Sequence, residues 1–137
     1  MSDLTRFGIS LENVLLKDFD RLIDEKQYEN RSEAIRDLIR NSLVEDEWKK
    51  GKDVAGAVSL VYDHHKRELM NVIVEIQHDY QDTIVASQHV HMDHHNCLEV
   101  IIVKGKSDKI KVLSDKLRAV KGVKHGSLTL TTLGREF

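Results

Sequence analysis

The segment RFGISLE, Arg6 to Glu12, alternates strictly: Phe7, Ile9 and Leu11 point one way, Arg6, Gly8 and Ser10 the other. It reads as a short strand with one buried face. Behind it, Leu15, Phe19, Leu22 and Ile23 have the spacing of an amphipathic helix. Asn30 opens a second helix, with Glu33 at capping-box spacing and a stripe of Ala34, Ile35, Leu38, Ile39, Ser42 and Leu43. Strand, helix, helix is all that the first fifty residues hold. One strand cannot make a sheet, and two helices cover only one side of it. The simplest remedy is a second copy whose strand pairs antiparallel with this one. The segment therefore predicts an obligate, intertwined dimer.

Residues 45–53 are polar, without an apolar period; they continue the second helix or link it to a different unit. Beyond them VAGAVSLVY (54–62) reads as a strand, KRELMNVIVEIQHDYQD (66–82) as a helix, and TIVASQHVHM (83–92) and CLEVIIVKG (97–105) as strands. SDKIKVLSDKLRAVKG (107–122) reads as a helix started by Ser107 and stopped by Gly122, and VKHGSLTLTTL (123–133) as a last strand. The order βαββαβ is the split, ferredoxin-like arrangement. The expected class is α+β, with one domain over residues 1–48 and another over 54–137.

Composition narrows the function classes. A hydrophobic fraction of 40% and a charged fraction of 32% fit a soluble globular protein. No apolar run is long enough to span a bilayer, and the N-terminus lacks a secretory pattern. One cysteine excludes an internal disulfide framework and suits a reducing cytoplasm. The first fifty residues hold nine Lys and Arg against twelve Asp and Glu, a net of −3. Any grip on nucleic acid must then come from a local patch rather than bulk charge.

The stretch SQHVHMDHHNCLEV, Ser87 to Val100, places four histidines and the sole cysteine within nine residues. His89 and His91 share a strand face, while Val90 and Met92 take the opposite, core-like one. If the hairpin pairs residues whose numbers sum to 188, His91 lies opposite Cys97 and His89 opposite Glu99. Directly opposed side chains have Cβ atoms roughly 4.5–5.5 Å apart. Two imidazoles and a thiolate can then reach one ion about 2 Å from each.

His78 is the candidate fourth ligand. Leu69, Val72, Ile73, Ile76 and Tyr80 form the helix stripe that faces the domain's own sheet, but His78 falls on another, with Met70 and Val74. A second apolar face calls for a second thing to pack against, so His78 is expected to complete a site on a neighbouring subunit. Zinc accepts such a ligand set in a tetrahedron; nickel(II) and copper(II) accept it in a square plane. His64, His65, His94, His95 and His125 read as surface or turn residues.

The RFGISL strand, the NRSEAIRDLIR helix and the series His-x10-His-x-His-x5-Cys together resemble the nickel-responsive transcriptional regulators of the NikR type, over residues 5 to 133. The resemblance implies a ribbon-helix-helix DNA-binding domain joined to an ACT-like metal-binding and tetramerisation domain, assembled as a dimer of dimers. It implies one planar Ni(II) per subunit, bridging two subunits through His89, His91 and Cys97 of one and His78 of another. Tyr62, Gln77 and Glu99 match positions that support that site from behind.

The resemblance also implies that the ribbon face of Arg6, Gly8 and Ser10 enters the major groove of operator DNA, as two-stranded ribbons do. Members commonly carry Thr or Ser where Gly8 stands, so one base contact is expected to be missing. Asn30, Arg31 and Ser32, at a helix N-terminus, match phosphate contacts and serve equally as ordinary capping residues. Lys66 and Arg67 match positions that reach the DNA backbone. Glu33 and Asp37 match acids that can hold a second cation between domains, or form a solvated face. The implied output is repression of nickel-uptake genes. Two rivals are a metal-dependent enzyme and a regulator that senses zinc, copper or an amino acid.

Overall fold

The computed structural model describes residues 3–137; Met1 and Ser2, the start of the expected 1–48 domain, lie outside the described residues. The chain divides into two compact units, one ending at Arg40 and the other running Asn41–Phe137.

In the first unit, helix α1 (Asn13–Glu25) is followed by the start of helix α2 (Arg31–Lys49). The turn between them places Gln27 at φ 62, and the Tyr28 N–H donates to the Ile23 carbonyl at 3.1 Å. Asn30 caps α2 as expected: its Oδ1 accepts the Glu33 N–H at 2.9 Å. The other half of the capping box is not made, because the Glu33 carboxylate pairs with Arg36. Arg31 ties the start of α2 to α1 through a bidentate pair with Asp20, at 2.9 and 2.8 Å.

Arg6 to Glu12 form no strand in the single chain. A strand is held by its ladder, and among the described residues this segment has no ladder partner. Its apolar face is correspondingly bare: Phe7 is 74% exposed and Ile9 66%. Leu15, Leu38 and Ile39 of the helix stripes are exposed too, leaving Ile23 and Ala34 as the buried pair.

The second unit is α+β. Four antiparallel strands, β1 (Asp53–Tyr62), β2 (Ile84–His91), β3 (Cys97–Lys106) and β4 (His125–Thr131), lie in the order β2-β3-β1-β4. Helices α3 (Arg67–Asp79) and α4 (Ser107–Arg118) complete the βαββαβ order, consistent with an ACT-like domain. Val54, Val58, Leu60 and Tyr62 of β1 and Cys97, Ile101 and Val103 of β3 face Leu69, Ile73, Ile110, Leu113 and Leu117 from the helices. The two central strands are buried on this face because α4 packs over β1, β3 and β4. Edge strand β2 is exposed along nearly its whole length. Val90 and Met92 are thus exposed rather than core, on an edge strand left open among the described residues.

The polar stretch 45–53 continues α2 as far as Lys49. Its one aromatic, Trp48, is buried in the sheet unit's core, and its indole N–H donates to the Thr131 carbonyl at 2.9 Å. Gly56 makes room for it: a Cβ there would stand 2.9 Å from the Thr129 carbonyl oxygen and 3.4 Å from the Trp48 ring. Ser107 is the first residue of α4 rather than its cap. Its hydroxyl donates to the Trp48 carbonyl at 2.7 Å, so it serves packing between segments. α4 ends at Arg118, and Gly122 takes φ 101 in the turn before β4.

Candidate metal centre

The β2–β3 hairpin is built around Asp93. Its Oδ1 accepts the N–H groups of His95 (2.9 Å) and Asn96 (2.8 Å), and the Met92 N–H closes on the Asn96 carbonyl at 2.9 Å. Such an Asx turn sets the register of the strands it joins. His91 stands opposite Cys97 and His89 opposite Glu99, a sum of 188 in each case. All four side chains therefore share the helix-bearing face of the sheet.

The two imidazoles lie side by side, their ring centroids 5.4 Å apart at 69°. His89 also meets the edge of the Tyr62 ring at 5.8 Å, and His91 stacks on His64 at 4.0 Å and 6°. Cys97 is fully buried, and its thiol donates to the Tyr62 carbonyl at 3.3 Å. Burial pushes this thiol's pKa up, and the nearby Glu99 adds to the effect. As a ligand it must turn from that carbonyl and lose its proton.

On the same face sits a buried carboxylate. Glu99 accepts the Tyr62 hydroxyl on Oε1 at 2.5 Å and the Gln77 amide on Oε2 at 2.7 Å. Burial first, and then this hydrogen bond, hold the Tyr62 hydroxyl far above the ordinary tyrosine range. The three residues matched as supports thus form one hydrogen-bonded set across β1, α3 and β3. Glu99, at the centre of this set, stands directly opposite His89.

His78 is exposed in the last turn of α3, on the stripe that also carries Val74, 62% exposed. Among the described residues, His78, His89, His91 and Cys97 do not converge within one chain. The donor chemistry nevertheless fits nickel: two imidazoles, a thiol and a buried carboxylate network on one face, and a third imidazole facing outward.

The residues matched to DNA are all at the surface. Arg6, Gly8 and Ser10 are exposed, and a side chain at Gly8 would meet nothing within 4 Å, so packing in this chain does not demand glycine there. Asn30 is the α2 cap, Ser32 is exposed in the first turn, and Arg31 is held by Asp20. That hydrogen bond depresses the Asp20 pKa and raises that of Arg31. Lys66 caps α3 through its backbone alone, leaving its side chain and that of Arg67 exposed. Glu33 pairs with Arg36 and Asp37 accepts the Tyr28 hydroxyl, so a cation on these acids would have to displace both partners.

One further cluster lies apart from the expected ligands. Asp63, His65 and His95 bring a donor atom each to within 4.8 Å of one another, with His94 beside them. The sequence signal was a repeat: Asp-His-His occurs at 63–65 and again at 93–95.

Comparison with known proteins bears on the sheet unit first. The family described as the NikR C terminal nickel binding domain matches residues 55–131. Over nearly its whole length the chain is similar to proteins assigned as nickel-responsive regulators. It is 55% identical over 135 residues to one from Syntrophus aciditrophicus (strain SB), covering 98% of each chain. It is 54% identical over 134 residues to one from Thermococcus onnurineus (strain NA1), covering 97% of each. Among solved structures, an uncharacterized protein of Thermotoga maritima matches 58% of this chain and 98% of its own at a TM-score of 0.53 and 16% identity, a likeness of fold alone.

Proposed function

The chain belongs to the family of nickel-responsive regulators, and from that premise we propose that it is a homotetrameric, cytoplasmic repressor of nickel-uptake genes whose grip on operator DNA depends on nickel. The family is one of regulators, not enzymes. No helix among the described residues is long and apolar enough to cross a membrane.

One observation carries the metal assignment: the register that sets His91 opposite Cys97 and His89 opposite Glu99. Ni(II) would supply a Lewis-acidic centre that His78, His89, His91 and the Cys97 thiolate would hold. His89 and His91 would offer ring nitrogens from the sheet face, and Cys97 would turn off the Tyr62 carbonyl and release its proton to solvent to bind as a thiolate. Glu99, held by Tyr62 and Gln77, keeps that face rigid. His78 and Val74 face outward while Met70, expected beside them, packs against the core; the exposed pair supports donation of His78 to a second subunit and one site per subunit at the tetramer core.

In the same reading, residues 1–48 act as a ribbon-helix-helix dimer and residues 54–137 as the sensing and tetramerising domain. The bare face of Phe7 and Ile9 supports pairing of the ribbon with a second copy, which turns Arg6 and Ser10 toward bases. Asn30, Arg31, Ser32, Lys66 and Arg67 contact phosphates, Arg31 exchanging Asp20 for one. Coupling between two sites of this kind is typically about 1–3 kcal/mol.

The test is a nickel titration of the wild-type protein and Cys97→Ala, followed by absorbance and by binding to the operator. Loss of the Ni–thiolate charge-transfer band and of nickel-dependent DNA binding in the variant is expected. Unchanged nickel binding by Cys97→Ala would sink the assignment. Zinc and copper suit the same donors, so DNA affinity is measured with each ion in competition; a response to zinc or copper at least equal to that with nickel would reassign the signal.

A further inference from the structure

We propose that Asp63, His65 and His95 form a second site for a divalent transition-metal cation, separate from the His89, His91 and Cys97 set and independent of that assignment. The three donor atoms lie within 4.8 Å of one another, in a single chain and without help from a partner. Donors sharing a cation at about 2.0–2.2 Å stand roughly 3–4 Å apart, so small side-chain rotations close the shell.

The backbone prepares both histidines in the same way. Asp63 Oδ1 accepts the His65 N–H at 2.9 Å, and Asp93 Oδ1 accepts the His95 N–H at 2.9 Å. Each Asp-His-His triplet is thus an Asx turn that projects its second histidine. The two turns, one before α3 and one at the tip of the β2–β3 hairpin, bring those histidines together: the ring centroids of His65 and His95 are 6.0 Å apart, and His94 stands 5.3 Å from His65.

The two aspartates then divide their work. Asp93 spends its carboxylate on the turn, taking the N–H groups of His95 and Asn96 and the Asn96 side-chain amide. Asp63 receives His65 alone, from its backbone N–H and from Nδ1 at 3.2 Å. It is the Asp63 carboxylate, and not that of Asp93, that remains available to a cation.

Two imidazoles and one carboxylate suit zinc, nickel or cobalt and leave coordination positions to water. Magnesium and calcium prefer all-oxygen sets. With no thiolate, bound Co(II) or Ni(II) would show ligand-field absorption without a thiolate charge-transfer band. The site would pin the loop before α3 to the hairpin that carries His91, and His64 stands beside it, 4.2 Å from His65 and stacked on His91.

Equilibrium dialysis of the full chain with Co(II) and Ni(II), with absorbance spectra, tests the proposal. Wild type is expected to bind two equivalents per chain. The double variant His65→Ala/His95→Ala is expected to bind one and keep the charge-transfer band, and Cys97→Ala to bind one without it. Asp63→Asn, which can retain the Asx turn, guards against a folding artefact and should also lose one equivalent. Two equivalents in the double variant, or a single wild-type equivalent that carries the charge-transfer band, would overturn the second site. A wild type with two equivalents and no charge-transfer band, one of them removed by the double variant, would support this site and sink the nickel assignment to Cys97.

Discussion

The Tyr62 hydroxyl donates to Glu99 Oε1 across 2.5 Å, from β1 to the neighbouring strand β3, with both side chains buried. Gln77 donates to the other carboxylate oxygen from α3. A buried carboxylate that loses one donor bears part of its desolvation cost uncompensated. Tyr62→Phe should therefore destabilise the second unit by about 1.5–3 kcal/mol, the range for hydrogen bonds to charged groups. Urea denaturation measures this. The same variant should weaken nickel binding by roughly 10- to 100-fold, as loss of an outer support does. Undiminished stability would mean that Glu99 does not depend on this donor.

Trp48 carries a second prediction. It is fully buried, its indole N–H is bonded to Thr131, and its carbonyl accepts Ser107. Trp48→Ala should cost about 3–5 kcal/mol through cavity formation. Because Gly56 is its seat, Gly56→Ala should also destabilise, by about 1–3 kcal/mol through overpacking. Thermal unfolding of the two single variants and the double variant checks the pair. In the double variant the added methyl meets no indole, so its cost should be smaller than in the wild-type background.

These residues mark what could and could not be read in advance. The opposition of His91 and Cys97 was legible because it needs only strand alternation and a short turn rich in Asp and Asn. The second unit's strands and helices were legible for the same local reason. Trp48 was not: one apolar residue in a polar run has no period, and its partners Thr131 and Ser107 are set by tertiary packing. Ser107 looked like a cap because serine at a helix start usually is one; Lys106 takes the cap position, and the Ser107 hydroxyl donates to the Trp48 carbonyl. The meeting of His65 with His95 joins turns thirty residues apart, which no local pattern encodes. Arg6 to Glu12 has the alternation of a strand, but a strand also needs a ladder partner, and among the described residues of a single chain there is none.

The Asp20–Arg31 pair predicts a titration. Its bidentate hydrogen bonds hold the Asp20 carboxyl below the ordinary carboxylate value of about 3.9. A depressed folded-state pKa contributes stability above the unfolded value and loses it as pH falls through the folded one. NMR titration of the Asp20 carboxyl carbon should show a midpoint below that of an unpaired aspartate. Arg31→Gln should return it toward about 3.9. An identical midpoint in the variant would mean that the pair does not persist in solution.

Arg6→Ala should weaken specific DNA binding, by about 1–3 kcal/mol if the side chain bonds a guanine edge bidentately. Nickel affinity and stoichiometry should stay at wild-type levels, since Arg6 lies in the first unit and the candidate ligands in the second. Calorimetry with nickel and fluorescence anisotropy with operator DNA separate the two. If both affinities fall together, Arg6 is acting through the fold rather than at the DNA.

Ile9 tests the ribbon itself. In one chain it is 66% exposed beside Phe7, an apolar strand face that a second copy would bury. Ile9→Glu puts a charge on that face, and desolvating an unpaired carboxylate is strongly unfavourable. The variant should lose the N-terminal association and with it operator binding. The second unit has its own buried core and should keep its cooperative unfolding transition. Sedimentation, denaturation and DNA binding on the same sample separate these effects. A variant that still binds operator as wild type does would show that this face is not where two chains meet.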